Sequence, residues 1–384
     1  MNEVRLGIIG LGNIGRHHAG YLLAGEVPRC RLTAVVTRRP PALALPENVA
    51  VFPDAEALFR SGAVDAVLIA TPHYSHFPLG AAAFAAGLHV VVEKPIAAHK
   101  ADAERLLAAH ARRPDRVFAA MFQMRVEPRY QKLRDLVRGG ALGRVTRVNW
   151  INTDWFRPEA YYQSSAWRAT WRGEGGGVLI NQCLHNLDML QWLVGPPARV
   201  RGFGGFGRFH DIEVEDDVTA YLEWPDGATG VFIGSTGEAP GTNRLEIAGS
   251  RGRVVLENQR LLFTQNETDA AEFCRTTDNA FAKPAATTLE IPFTDAARPH
   301  AELLANFVAA ILDGVPLLAP GAEGVASIEL ANAIVLSALQ NETVPLPLDA
   351  AAWEAKLNEL IAGSRRGERA VRQVTGDVAG SFKR

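Results

Sequence analysis

The sequence predicts an α/β protein with two sheets of different kinds. Short, nearly continuous apolar runs alternate with helix-like segments in residues 1–122, which is typical of a doubly wound parallel sheet covered by helices on both faces. Beyond residue 122, strand-like runs follow one another across short turns, which indicates an antiparallel sheet. Since 384 residues exceed what one core usually supports, we expect one domain over 1–122 and a second over 123–362.

The apolar spacing predicts the elements of the first domain in order. Its five predicted strands are 4–10, 31–37, 64–71, 88–94 and 116–122. Its predicted helices are 14–24, 76–86 and 102–110. Because the strands are parallel, the crossovers between them should be right-handed.

In the second domain, a predicted helix over 128–138 precedes a series of strands joined by turn residues. The predicted strands are 143–155, 200–209, 216–224, 228–236, 242–249, 252–258 and 260–266. Helical periodicity returns at 300–314, 324–339 and 353–361. Residues 363–384 have little apolar content, which predicts a flexible tail or an arm that packs on a partner subunit.

The composition excludes several classes of protein. A net charge of −2 and a pI of about 6.6 leave no basic surface for nucleic acid or for an acidic membrane. Cys30, Cys183 and Cys274 match no metal-ligand spacing, so we expect no metal and a reducing compartment. We find no basic leader and no segment of membrane-span length, and we therefore expect a soluble cytoplasmic protein.

The segment GLGNIG, residues 10–15, lies between the first predicted strand and the first predicted helix. Gly10, Gly12 and Gly15 suit a tight turn, the approach of a pyrophosphate and the contact of helix with strand. Asn13 and Ile14 start the helix, whose free N–H groups attract phosphate. This pattern predicts a Rossmann-type dinucleotide site; the alternative is a glycine-rich turn without a ligand.

The second predicted strand ends in VVTRRP, where a dinucleotide fold often carries an acid for the ribose 2′-hydroxyl. Thr37 and Arg38 take that position here, with Arg39 beside them. An arginine pairs with a 2′-phosphate and also stacks on adenine. We therefore favour NADP over NAD, with adenine stacking or a solvated arginine as the alternatives.

The fourth predicted strand ends in Glu93-Lys94-Pro95, at the sheet edge where such folds bind ligands. A lysine there is placed to polarise a hydroxyl or a ketone next to a nicotinamide. The alternative is a surface lysine that caps a loop. Its position in the same sheet as the glycine turn favours the first interpretation.

A second polar pattern follows the glycines of GGGVLINQCLHNLD, residues 175–188. Asn181, His185 and Asp188 stand at i, i+4 and i+7, so a helix would place them on one face. We expect Asn181 to face a substrate hydroxyl, His185 to face the reacting oxygen and Asp188 to orient the imidazole. The alternative is a polar stripe that faces water.

Aromatic residues crowd the stretch 152–174, interleaved with arginines. Aromatic faces beside forked polar groups suit a sugar ring, and the alternative is a cluster that packs a long loop. We favour Trp155, Tyr161 and Trp167 as substrate contacts. Gln123 and Arg125, at the junction of the domains, are further candidates.

Taken together, these motifs resemble the Gfo/Idh/MocA oxidoreductases. The resemblance rests on GLGNIG with the following His17-His18, TPHYSH at 71–76, GLHVVVEKP at 87–95 and the glycine-led segment at 175–188, and it extends to about residue 360. It implies a Rossmann-type domain followed by an α/β domain with a large, open, mostly antiparallel sheet. It also implies homodimers or homotetramers formed through that sheet.

The resemblance assigns roles by position. Lys94 and His185 match the family's active-site lysine and histidine. Glu93 and the TPHYSH residues Thr71, Pro72, His73 and His76 are expected to line the cofactor. Many relatives that act on sugars have Asp where this chain has Asn181, and an amide cannot accept a proton at neutral pH.

These residues fit hydride transfer between a nicotinamide cofactor and a carbon of a sugar or polyol. His185 would take up or supply the hydroxyl proton, and Lys94 would hold the oxygen. One alternative is a lyase or glycosidase that oxidises its substrate transiently. Another is a regulator that binds the nucleotide without catalysis.

Overall fold

The computed structural model describes residues 2–38, 43–294 and 298–364, and these form two sheets. The first sheet has six strands in the order β3-β2-β1-β4-β5-β6, all parallel. They are β1 (Val4–Ile9), β2 (Cys30–Val36), β3 (Ala50–Phe52), β4 (Ala66–Ile69), β5 (His89–Val92) and β6 (Phe118–Ala120). This order places a switch point between β1 and β4, where open α/β sheets bind ligands.

Four helices lie between these strands: α1 (Asn13–Leu23), α2 (Ala55–Arg60), α3 (His76–Ala85) and α4 (Lys100–Ala111). The predicted strands and helices of this domain are all present. The periodicity did not predict β3 or α2, because three and six residues are too few to show a period. The side chain of Asp54 caps α2 by accepting a hydrogen bond from the Ala57 N–H at 2.8 Å.

The second sheet has nine strands in the order β14-β13-β12-β11-β7-β10-β9-β8-β15. All its neighbouring pairs are antiparallel except β7 with β10. The strands are β7 (Val145–Asn152), β8 (Arg199–Phe206), β9 (Glu215–Glu223), β10 (Thr229–Ser235), β11 (Asn243–Gly249), β12 (Gly252–Glu257), β13 (Arg260–Asn266), β14 (Ala286–Glu290) and β15 (Val344–Pro345). The second sheet is therefore large and mostly antiparallel, as expected.

The remaining helices are α5 (Pro128–Arg138), α6 (Glu159–Gln163), α7 (Leu184–Val194), α8 (Ala270–Thr276), α9 (Pro299–Asp313), α10 (Gly324–Gln340) and α11 (Ala350–Gly363). Helix α10 packs on β8, where a Cβ on Gly202 would lie 2.3 Å from the Ile334 carbonyl oxygen, so this position requires glycine. Helices α9 to α11 also pack back against α1 and α4 of the first domain.

Ion pairs and hydrogen bonds of charged side chains hold α10 and α11 against α4 of the first domain. The Lys100 ammonium, at the start of α4, donates to Glu329 at 2.6 Å and to the Leu348 carbonyl. Arg105 forms a two-pronged ion pair with Glu354 of α11, with both N···O distances at 2.7 Å. His99 and Asp102 lie at the same contact, and with Glu354 they form a group of donors close enough to hold a metal ion; Arg105 supplies the positive charge there.

The expectation that no segment reaches the length of a membrane span was wrong. The segment Gly321–Gln340 has 20 residues and is long and apolar enough to cross a membrane by length and composition alone. Buried residues make up 61% of its most apolar window.

Candidate active site

The glycine turn between β1 and α1 has the shape that its sequence predicts. Gly10 has φ +97°, and a Cβ there would lie 2.7 Å from the Ala70 carbonyl oxygen. A Cβ on Gly15 would lie 1.9 Å from the Gly10 carbonyl oxygen. Among the residues that the structure describes, none lies within 4 Å of a Cβ placed on Gly12, and no side chain caps the start of α1. The N–H groups at the start of α1 are therefore left uncapped, which is the arrangement that binds phosphate groups at helix N-termini.

Other predicted cofactor residues surround this turn. The Asn13 side chain accepts a hydrogen bond from Arg16 at 2.6 Å, and Ile14 packs against the core. Thr37 and Arg38 follow β2, the neighbour of β1, where the Thr37 N–H donates to the Phe52 carbonyl at 3.2 Å. Arg38 is exposed at this edge, and Arg39 lies outside the described residues.

The TPHYSH and EKP segments follow β4 and β5, which are neighbours in the sheet. The two ring nitrogens of His76 each lie 2.6 Å from a carbonyl oxygen, one of Thr71 and one of Pro95. His76 therefore joins the two segments, and its contact with the cofactor stays a prediction. Thr71 and Pro72 stay accessible, and His73 is buried with its Nδ1 2.9 Å from the Glu174 carbonyl oxygen.

Glu93 lies buried behind Lys94 and pairs with an imidazole from α1. Its Oε1 lies 2.6 Å from His18 Nε2, and the other ring nitrogen of His18 contacts the Tyr21 hydroxyl. Burial would raise the pKa of Glu93, but the hydrogen bond and charge of His18, together with His300 and Lys94, lower it to about 2. Glu93 is therefore a fixed negative charge at the base of the site.

Lys94 connects the two domains. Its ammonium donates to the main-chain carbonyl of Asn181 at 2.8 Å. Burial lowers the pKa of Lys94, the carboxylates of Glu93 and Glu174 raise it, and two arginines nearby lower it. The EKP lysine thus reaches the turn that leads into the helix of His185.

The segment after the glycines differs from the prediction at its start. Helix α7 begins at Leu184, and the preceding residues form consecutive turns. The cause is Glu215 on β9, whose Oε1 accepts the N–H groups of Gly177 at 2.9 Å and Leu179 at 3.2 Å. Asn181 therefore lies in this turn and not on the face of the helix that carries His185.

His185 is buried at the first turn of α7, and the side chain of Gln123 lies beside it. The Nε2 of His185 lies 3.2 Å from the Gln123 side-chain nitrogen. The Nδ1 of His185 and the side-chain oxygen of Gln123 have no partner among the described residues. Burial, followed by the charge of Lys94, lowers the pKa of His185 well below its usual value. The imidazole is therefore neutral at neutral pH.

Asp188 and Arg125 form a structural pair, contrary to both predictions. The Arg125 guanidinium donates to the two Asp188 oxygens at 2.6 and 2.9 Å, and it also contacts Glu323. Asp188 thus does not orient the imidazole, a role that falls to Gln123. Because Arg125 is buried with its charge neutralised, it is not placed to bind a substrate.

Two of the favoured aromatic residues lie beside these groups. The Trp167 ring centroid lies 5.7 Å from that of His73, edge to face. The Tyr161 hydroxyl receives hydrogen bonds from Arg168 at 2.7 Å, Gln182 at 3.1 Å and Asn181 at 3.2 Å. Trp155 packs partly against the core, so its contact with a substrate stays a prediction, as do those of Tyr161 and Trp167.

The sequence analysis assigned no role in the site to His18, Glu174 or Glu215, although His18 belongs to the motif that follows GLGNIG. The Glu174 carboxylate accepts from the Asn181 amide and, at 2.6 Å, from the Ala169 N–H. Glu174 stands at the end of the aromatic stretch and directly before the glycines, and that position was the one available signal.

Comparison with known proteins gives a consistent result over most of the chain. Residues 4–121 match the model of an oxidoreductase family with an NAD-binding Rossmann fold, and residues 130–255 match that of the GFO/IDH/MocA C-terminal domain. An inositol 2-dehydrogenase of Rhizobium meliloti is 27% identical over 89% of this chain and 99% of its own length.

Two further comparisons agree. The uncharacterized oxidoreductase YdgJ of Escherichia coli is 31% identical over 66% of this chain and 71% of its own length. Among solved structures, the WlbA dehydrogenase from Bordetella pertussis, in complex with NADH and UDP-GlcNAcA, is 27% identical with a TM-score of 0.74, over 90% of this chain and 100% of that one.

Proposed function

The chain belongs to the Gfo/Idh/MocA family of oxidoreductases, and we propose that it transfers a hydride between a nicotinamide cofactor and a hydroxyl or keto carbon of a sugar, sugar derivative or polyol. The observation that carries this proposal is the hydrogen bond of 2.8 Å from the Lys94 ammonium to the Asn181 carbonyl. It joins the cofactor-side lysine to the turn directly before His185, so the acid and the base share one site.

The residues of the first domain fit a dinucleotide. The open space at Gly12 and the uncapped start of α1 would hold the pyrophosphate, and Thr71, Pro72 and Glu93 would lie along the nicotinamide half. We propose NADP in preference to NAD, because exposed Arg38 stands where an acid would bind the 2′-hydroxyl. The bound group supplies the hydride acceptor or donor.

The proton steps fall to His185 and Lys94. As the substrate carbon loses its hydride, the hydroxyl proton passes to the neutral imidazole of His185. The Lys94 ammonium donates a hydrogen bond to the same oxygen and stabilises the charge that builds there. In the reducing direction, His185 returns one proton to the ketone oxygen as the carbon gains the hydride, and Lys94 keeps its proton and its hydrogen bond to that oxygen.

Gln123 is placed to select the tautomer of His185. Its amide presents either an N–H or, after a half-turn, a carbonyl oxygen to Nε2. With the oxygen toward Nε2, the proton stays on Nε2 and Nδ1 offers a lone pair for oxidation. With the N–H toward Nε2, the proton sits on Nδ1, ready for reduction.

The substrate class follows from the rings and hydrogen-bonding groups around these residues. Tyr161 and Trp167 offer aromatic faces to the C–H side of a sugar ring, and Asn181 and Gln182 offer groups for its hydroxyls. The relatives named as inositol and WlbA dehydrogenases support a polyol or sugar derivative.

The test is a screen of sugars, polyols and glycosides with NAD and with NADP separately, following absorbance of the reduced cofactor. We expect reduction with at least one polyol or sugar, and faster with NADP. A substitution of Arg38→Gln should reverse that order. If substrate is consumed with no net change in absorbance, transient oxidation replaces net hydride transfer as the function; if no compound is consumed, the proposal fails.

We also propose that the chain forms homo-oligomers through the open face of the second sheet. Along β9, buried and exposed residues alternate, and Tyr221 and its near neighbour Phe203 on β8 are 36% and 55% exposed on one face. Apolar rings on an otherwise open sheet face are typical of an interface. Light scattering of Phe203→Asp should give a smaller particle than the unaltered protein.

A further inference from the structure

Asn181 carries an amide in the turn before His185, and a buried carboxylate contacts that amide. Glu174 is 2% exposed, and its Oε1 accepts a hydrogen bond from the side-chain amide of Asn181. Its other oxygen accepts from the Ala169 N–H at 2.6 Å, and its main-chain carbonyl contacts His73 at 2.9 Å. Glu174 is thus held rigidly between the cofactor-side segment and the turn before His185.

This contact settles which way the Asn181 amide points. Its NH₂ group donates to Glu174 and, at 3.2 Å, to the Tyr161 hydroxyl, so both hydrogens are used. Among the residues that the structure describes, none donates to its side-chain oxygen. Asn181 therefore offers the site an acceptor, as one oxygen of an aspartate would.

Glu174 also acts on Lys94 by its charge. The groups that face Lys94 are the carboxylates of Glu93 and Glu174 and the guanidiniums of Arg168 and Arg157. Glu93 is committed to His18, so Glu174 is the carboxylate on the second-domain side. Burial raises the pKa of Glu174, while Arg168, the hydrogen bonds from Ala169 and Asn181, and Lys94 lower it.

We propose that Glu174 is a positioning residue: it locks the Asn181 amide as an acceptor for a substrate hydroxyl and supplies the negative charge that Lys94 faces. This inference rests on the proposed function of the site. A purely structural role for Glu174 would require neither a fixed direction of the Asn181 amide nor a negative charge beside Lys94. The proposed role requires both.

The test exchanges the amide and the carboxylate. In Glu174→Gln, the new side chain keeps the Ala169 hydrogen bond with its oxygen and turns its NH₂ toward Asn181. Asn181 must then turn over and present its NH₂ to the substrate. We expect kcat/KM to fall about 10- to 100-fold, with the melting temperature and cofactor binding unchanged.

The double variant Glu174→Gln with Asn181→Asp restores an outward acceptor and a carboxylate, so we expect it to recover most of the lost kcat/KM. The matched control is Glu213→Gln. Glu213 holds the same loop through the Trp171 N–H at 2.8 Å and is not among the main charged groups that shift the pKa of Lys94, so this variant should keep full activity. Equal activity of Glu174→Gln and the unaltered enzyme, or no recovery in the double variant, would overturn the inference.

A second readout needs no substrate. The reactivity of Lys94 toward acetic anhydride, followed by peptide mass spectrometry across pH, reports the pKa of its amine. Losing the Glu174 charge should lower that pKa, and the double variant should restore it. An unchanged Lys94 profile in Glu174→Gln contradicts the inference even if no sugar is turned over, whereas a shifted profile without turnover contradicts only the proposed function.

Discussion

Two buried glutamates flank Lys94, and their environments shift their pKa values in opposite directions. Glu93, on the first-domain side, has an imidazole as partner, and its pKa falls to about 2. Glu174, on the second-domain side, has an amide and a main-chain N–H as hydrogen-bond partners, and burial leaves its pKa raised although the charge of Arg168 lowers it. Two equally buried carboxyls thus have pKa values shifted in opposite directions.

The difference teaches that the hydrogen-bond partner, and not burial alone, decides the state of a buried carboxyl. An imidazole can carry a positive charge and so offsets the desolvation of its partner, whereas an amide contributes only a dipole. Lys94 therefore faces a permanent negative charge on the side of the cofactor. On the side of the substrate, Lys94 faces the carboxyl of Glu174, whose pKa is raised by burial.

The largest effect should come from removing Lys94, the residue on which both carboxylates act. In Lys94→Ala the site keeps its glycine turn but loses the cation beside the reacting oxygen, so we expect kcat to fall about 10³-fold or more. Cofactor affinity, measured by fluorescence titration, should stay within about threefold. Lys132→Ala, at an exposed position of α5, is the control. Unchanged turnover in Lys94→Ala would remove this lysine from the mechanism.

Glu93→Gln removes the carboxylate on the first-domain side of Lys94 and should lower the stability of the protein. It leaves His18 without its carboxylate, and loss of one partner of a buried ion pair costs about 3–5 kcal/mol in the free energy of unfolding. Because the folded pKa of Glu93 is about 2 and its ordinary value is 4.5, this contribution is present above pH 4.5 and is lost as pH falls toward 2.

Urea unfolding at several pH values checks this prediction. The variant should be less stable than the unaltered protein at pH 7, and the gap should narrow toward pH 3. A gap that stays constant between pH 7 and pH 3 would mean that the His18 pair does not set the charge of Glu93.

Glu215 is a third buried glutamate to compare with Glu93 and Glu174. Among the described residues, the partners of its Oε1 are main-chain N–H groups. Burial, with the nearby charge of Glu174, raises its pKa to about 7. For a carboxyl with a raised folded pKa, stability falls as pH rises from about 4.5 to about 7, here by up to about 3 kcal/mol. Glu215→Gln should lack this slope, so its unfolding midpoint should vary less than that of the unaltered protein between pH 5 and pH 8. An identical slope would contradict the raised pKa.

The smallest effect concerns the backbone that Glu174 holds. Ala169 has φ +51°, a left-handed conformation that disfavours a side chain, and its N–H donates to Glu174. Ala169→Gly should relieve that strain and stabilise the protein by about 1 kcal/mol or less. Calorimetry checks the change, and a lower melting temperature would show that the conformation is not strained.

Much of the fold could be predicted because its signal is local. The buried strands β4 and β5 are continuous apolar runs, and β9 alternates cleanly between buried and exposed residues. Strand β14 escaped prediction because all five of its residues are exposed and so show no alternation. Strand β15 escaped because it has two residues.

The site divides in the same way. Lys94 and the glycine turn could be predicted, since both stand at strand ends whose meeting point the parallel sheet dictates. The partnership of Glu93 with His18 spans 75 residues, and that of Arg125 with Asp188 spans 63. No periodicity encodes such contacts. The start of α7 was misplaced for the same reason, because Glu215 of a later strand captures the turn.

The return of the last helices has a consequence for synthesis. The main-chain N–H of Lys100 bonds Asn332 at 3.0 Å, and its ammonium bonds Glu329, residues that leave the ribosome more than 200 positions later. At translation rates of about 5–20 residues per second, the nascent nucleotide domain waits roughly 10–50 s for the elements that cover α1 and α4. During that interval its uncovered faces are a natural target for a chaperone, and a fragment ending near residue 122 should precipitate when expressed by itself.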